Sequence, residues 1–84
     1  MEIELKLFMM FIKYGPDDQV DGRSRMKLEP GTRFIDLLHT INMPVEEDKI
    51  IVINGISHKQ GDEVNALELT DGDTVAIFPP IAGG

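Results

Sequence analysis

The sequence contains no cysteine. That removes disulfides, thiolate metal ligands, iron–sulfur clusters and a cysteine nucleophile in one step, and it fits a reducing compartment. Base is scarce too: eight Lys and Arg stand against fifteen Asp and Glu, a formal net charge of −7. A phosphate backbone is bound by a basic stripe, so this balance argues against a nucleic-acid partner. It suits solubility, or a basic protein partner. No apolar run approaches the ~20 residues of a membrane helix. Met1-Glu2-Ile3-Glu4 carries acid where a signal peptide carries base. The expected location is the cytoplasm, away from any membrane. Length is the last shortage. At 84 residues the chain is one small domain with a thin core and no room for an enzyme's deep pocket.

What is present is ordinary globular material, 42% hydrophobic and 27% charged. Ile3, Leu5, Leu7, Met9 and Phe11 share one parity, with Glu2, Glu4 and Lys6 on the other. That alternation predicts a strand over residues 2–12 with one face buried. Phe8, Met10 and Ile12 make its second half apolar on both faces, as in a mid-sheet strand or one that shows an apolar face to a partner. Residues 15–22 carry the turn chemistry of a loop, and residues 24–29 read as a returning strand stopped by Pro30-Gly31.

Thr32 is the expected helix N-cap. Phe34, Leu37, Leu38 and Ile41 follow at amphipathic spacing, and Asn42 and Pro44 end the helix. Ile50-Ile51-Val52-Ile53 reads as a buried strand, Asn54-Gly55 as a tight hairpin turn, and residues 56–59 as its return arm. Thr74 to Phe78 is a last strand that Pro79-Pro80 stops. The order of strand, strand, helix, strand, short strand, strand predicts an α+β domain, one main helix on one face of a mixed sheet.

Most constellations that carry chemistry are missing. His39 and His58 lack a second ligand at metal spacing, so no metal site is expected. Asp71-Gly72-Asp73 lacks the remaining ligands of a calcium loop. No glycine pair opens a helix after a strand, as a phosphate-binding loop requires. Ser24 and Ser57 have no base and orienting group.

The end of the sequence differs. Phe78-Pro79-Pro80-Ile81-Ala82-Gly83-Gly84 leaves a strand through two prolines that favour an extended, stiff path. At ~3 Å per residue such a tail projects roughly 15–20 Å from the sheet edge. Its last two residues have no side chain. Gly83 and Gly84 therefore suit a terminal carboxylate threaded through a narrow channel where a Cβ would clash. Activation of that carboxylate by ATP, as an acyl adenylate, exposes the carbonyl to a sulfur or nitrogen nucleophile. The expected organisation is a domain over residues 1–78 and a tail over residues 79–84.

Asn54-Gly55, Leu69-Thr70-Asp71-Gly72-Asp73-Thr74-Val75 and the Phe-Pro-Pro-Ile-Ala-Gly-Gly ending together resemble the small sulfur-carrier proteins of molybdopterin and thiamine synthesis, the MoaD and ThiS type. These are ubiquitin-like β-grasp domains. The ending is most similar to the molybdopterin synthase small subunit.

The resemblance implies a sheet of four to five strands with one main helix. It implies that Gly84 is adenylated by a ubiquitin-activating-type adenylyltransferase, which uses the ATP, and is converted to a thiocarboxylate by a sulfurtransferase. The tail, through Pro79, Pro80, Ile81, Ala82 and Gly83, would then enter the large subunit of molybdopterin synthase. No cofactor would be bound, and the chain would not be an enzyme alone. Alternatives are a carrier for thiamine thiazole or another metabolite, a modifier conjugated to lysine through Gly84, and a plain β-grasp interaction module. One local departure is the bulky run Met9-Met10-Phe11-Ile12-Lys13, where the family pattern has a basic residue near a small one.

Strand parity also suggests a docking face. Phe8 and Met10 lie opposite Leu7 and Met9, and Phe78 lies opposite Ile77. If the helix covers the Val75 side, Phe8, Met10 and Phe78 are exposed beside the tail as partner-binding anchors.

Overall fold

The computed structural model describes residues 1–80. Five strands, β1 (Glu2–Leu7), β2 (Arg23–Lys27), β3 (Ile50–Ile53), β4 (Ile56–His58) and β5 (Thr74–Phe78), form one sheet in the order β2-β1-β5-β3-β4. β1 and β5 run parallel at its centre, and the other neighbours are antiparallel. The helix α1 (Phe34–Thr40) crosses one face, and a short helical turn α2 (Asp62–Asn65) lies between β4 and β5.

Alternation decides which side is covered. Ile3, Leu5 and Leu7 of β1, Ile51 and Ile53 of β3, and Val75 and Ile77 of β5 all point to the helix and are buried. They meet Phe34, Leu37 and Leu38 of α1, which are fully buried. Each such side chain contributes roughly 1.5–3 kcal/mol by leaving water. Val64 of α2 and Leu69 close the core from below.

Several expectations hold. Asn54 and Gly55 take φ of 52° and 80°, the two positive values of a type I′ hairpin turn. Asn42 sits at φ 59° just past α1, the left-handed conformation that ends a helix.

Others are corrected. The first strand stops at Leu7, and Met9–Tyr14 form a 3-10 helix. Met9 breaks the strand with φ 54°. Phe11 then turns into the core, with the Tyr14 ring against it at 5.8 Å. Phe8, Phe11 and Tyr14 recur every third residue, the period of a 3-10 helix, and this signal competes with the alternation. Met10 therefore does not share a strand face with Phe8.

Thr32 is not the N-cap. Its hydroxyl donates to the Glu29 carbonyl at 2.6 Å, and Arg33 caps α1, its N–H donating to the Asp36 carboxylate at 3.0 Å. The chain near Leu67 and Leu69 straps the start of the helix: Phe34 N–H donates to Leu67 O, and Leu69 N–H to Thr32 O, both at 2.9 Å.

Gly22 is a position where only glycine fits. Its φ is +83°, and a Cβ there would stand 2.1 Å from the Leu7 carbonyl oxygen. The close approach lets Leu7 N–H donate to Gly22 O at 2.8 Å, which pins the end of β1 just before the chain turns away.

Candidate functional site

β5 is the last strand, and its start is anchored by the Thr70–Thr74 segment. Asp73 is buried beneath the hairpin turn. Its carboxylate accepts from Asn54 Nδ2 at 2.8 Å, Thr70 Oγ1 at 2.9 Å and Thr70 N–H at 2.8 Å. Burial opposes its charge, but the bonds from Thr70 and Asn54 outweigh it and hold the carboxyl below its usual range. Asn54 Oδ1 in turn accepts Thr74 N–H at 2.8 Å. On the other side Glu2 N–H donates to the Asp71 carboxylate at 2.7 Å and Glu4 N–H to Asp73 O at 2.9 Å. The turn motif thus binds β1, β5 and the β3–β4 hairpin together, and so fixes where Phe78 and Pro79 emerge.

At that exit the open sheet face is apolar. Phe8 is extended, with φ −125° and ψ 148°, so it continues the alternation of β1 on the side away from α1. Its ring stacks on Phe78, centroids 4.2 Å apart and planes 9° from parallel. Ile50 lies opposite Phe78 in the β3–β5 ladder. Met9, Ile50, Phe78 and Pro79 line a cleft of 320 Å³. Of the residues expected to share this face, Phe8 and Phe78 come together. Met9, 75% exposed, lines the cleft where Met10 was expected. The signal for Met9 was its position at the strand end, which the longer strand expectation hid.

Pro79 is buried against the cleft, and Pro80 is exposed. Ile81, Ala82, Gly83 and Gly84, the reacting end of the expected tail, lie outside the described residues.

Elsewhere the polar side chains serve the fold. The Lys49 ammonium is buried and donates to the carbonyls of Pro44, Val45 and Glu47, at 3.2, 2.9 and 2.5 Å. Burial pushes its pKa down, against the opposing charges of Glu47, Asp48 and Glu46. Gln60 completes this cage: its Nε2 donates to Val45 O and Glu47 O, and its Oε1 accepts Lys49 N–H. Tyr14 OH donates to Glu47 at 2.5 Å, which raises the phenol's pKa. His39 is exposed on α1 and His58 half-buried on β4. Among the described residues no three His, Cys, Asp or Glu side chains converge to hold a metal. No helix among them is long and apolar enough to cross a membrane.

A mixed five-stranded sheet that grasps one main helix, with a parallel central pair, defines the ubiquitin-like β-grasp class. The ThiS family model matches residues 15–84, and the chain belongs to that family of ubiquitin-fold sulfur carriers. The solution structure of the Haloferax volcanii HVO 2177 protein is similar at 27% identity and TM-score 0.73, over 100% of this chain and 87% of that one. The putative molybdopterin converting factor, subunit 1, of Pyrococcus furiosus is 24% identical with TM-score 0.68, over 95% and 98% of the two chains. The small archaeal modifier protein 1 of Methanosarcina acetivorans is 23% identical with TM-score 0.62, over 99% and 96%. No curated protein matches the chain.

Proposed function

We propose that the protein carries sulfur on its C-terminal residue, as the small subunit of a molybdopterin synthase. One observation carries the sulfur-carrier part of this reading: the ThiS family match extends through Gly84 and includes the Gly83-Gly84 pair. In this reading the Gly84 carboxylate attacks the α-phosphorus of ATP in a ubiquitin-activating-type adenylyltransferase, and pyrophosphate leaves. A sulfide-level nucleophile supplied by a sulfurtransferase then attacks the acyl carbon. AMP leaves, a proton is released, and a thiocarboxylate remains. The tail from Pro79 to Gly84 enters the large subunit, where the sulfur passes to a pterin precursor. Gly83 admits the tail to the narrow channel, and the Phe8–Phe78 stack with the cleft beside it docks the domain.

The chain contributes no catalytic pocket and binds no cofactor; the ATP is bound by its activating partner. The reaction belongs in the cytoplasm. The similarity to a molybdopterin converting factor subunit and the Pro-Pro tail support the pterin assignment over a thiazole carrier. A second reading is conjugation. The same acyl adenylate is open to a lysine amine, and archaeal modifier proteins share the fold.

The test is intact mass after incubation with ATP, the adenylyltransferase and sulfide. A gain of one oxygen-for-sulfur exchange, lost when Gly84 is deleted, is expected. Attachment to target lysines without that gain would favour the modifier. Neither product, with the adenylyltransferase active on another carrier, would leave a binding module.

A further inference from the structure

The open face of the sheet carries a charge arrangement that its own fold does not need. Cross-strand pairs on β1 and β2 face each other there: Glu2 with Lys27, Glu4 with Arg25, and Lys6 with Arg23. The first two pairs join opposite charges. The third sets two cations side by side, an arrangement that destabilises a sheet. It persists in a chain of net charge −7, where acids are plentiful. The one ion pair among the described residues is Arg25 with Glu2, which leaves Lys6 and Arg23 uncompensated there.

Their place in the ladder matters. Lys6 lies beside Ala76, and Ala76 beside Val52. That row borders the next one, Phe8, Phe78 and Ile50, because each member is two residues from its counterpart on the same face. Lys6 therefore lies one row from Phe8 on the same open face, with Arg23 beyond it on β2.

We propose that Lys6 and Arg23 form a clamp for carboxylates of the adenylyltransferase that activates the tail, an assignment that rests on the reading of Gly84 as an activated carrier end. The partner's docking surface would present an apolar side chain to the Met9–Ile50–Phe78–Pro79 cleft, with Asp or Glu beside it. A phosphate polyanion fits less well, because the acidic remainder of the chain repels it. Apolar burial then supplies affinity, and the cation pair supplies orientation and faster encounter.

The test uses the full-length protein and the ubiquitin-activating-type adenylyltransferase encoded in the same genome, followed by ATP–pyrophosphate exchange. Lys6→Glu places an acid opposite Arg23, so its thermal midpoint should hold or rise by about 1–3 °C. Its KM for the enzyme should rise ~10-fold at unchanged kcat. Wild-type KM should climb with added NaCl, while that of Lys6→Glu should stay nearly flat. Arg23→Glu should behave alike, and Lys6→Arg should restore wild-type behaviour. If the reversal disturbs the sheet, Lys6→Gln serves instead, with a KM increase of roughly 3-fold.

A wild-type exchange that none of these substitutions alters overturns the clamp and leaves the carrier reading standing. A change in oligomeric state on substitution would assign the pair to a contact between copies, and would also overturn it. No exchange by the wild type, with the enzyme active on another carrier, overturns both.

Discussion

Phe8 and Phe78, from opposite ends of the sequence, stack face to face with ring centroids 4.2 Å apart. The contact closes the sheet at the point where the chain leaves it, and it stays half-exposed. An aromatic pair left in water beside an apolar cleft is arranged for a partner more than for the core. Phe8→Ala and Phe78→Ala should each lower stability by only about 1–2 kcal/mol in urea unfolding, with a coupling of ~0.5–1.5 kcal/mol in the double-mutant cycle. Their effect on KM in pyrophosphate exchange should be larger, ~30-fold or more. A stability loss with unchanged KM would make the stack purely structural.

Asp73 ties acid sensitivity to the turn that anchors β5. Its folded-state carboxyl lies below the ordinary value of 3.8. Its stabilising contribution is therefore complete above the unfolded-state pKa and is lost as pH falls through the lower folded value. Asp73→Asn puts a donor where Asp73 accepts, and should cost about 1–3 kcal/mol at pH 7. The gap between variant and wild type should narrow on acidification below pH ~4. Urea unfolding at a series of pH values measures both quantities, and a gap independent of pH would refute the network's role.

Lys49 acts as an internal cation for the 44–48 turn, since its ammonium meets three carbonyls. Lys49→Met keeps most of the stem but leaves those carbonyls short of a donor. A loss of roughly 2–4 kcal/mol is expected. Lys49→Arg should not rescue it, because a planar guanidinium does not match three carbonyls around a point charge. Thermal melts of the two variants check this.

Gly22→Ala should cost roughly 3 kcal/mol or more, from positive φ and from contact with the Leu7 carbonyl. Gly55→Ala meets no atom within 4 Å and carries only the backbone cost of positive φ, about 1 kcal/mol. Equal losses at the two sites would remove the close approach as the cause.

The strands, the main helix and the hairpin turn were legible because they are local, whereas the helical turn α2 was not expected. The period of two in Ile3, Leu5 and Leu7, the helical spacing of Phe34, Leu37, Leu38 and Ile41, and the Asn54-Gly55 turn each act within a few residues. The early 3-10 helix was not legible. Met9 and Phe11 continue the parity of β1, so the sequence supports two conformations there, and burial of Phe11 beneath the sheet selects one. Thr32 lost the cap to Arg33 for a similar reason: the Leu67–Leu69 strap fixes the backbone before the helix starts.

The sequence by itself determined the charge balance, the strand and helix periods, the hairpin turn and the family, because composition and motifs need no partner in space. Only the tertiary structure decided that Phe8 meets Phe78, that Met9 and not Met10 borders the cleft, and that Lys6 faces Arg23. Those relations depend on which strands become neighbours and in what register, and register is set by burying one whole face of the sheet at once.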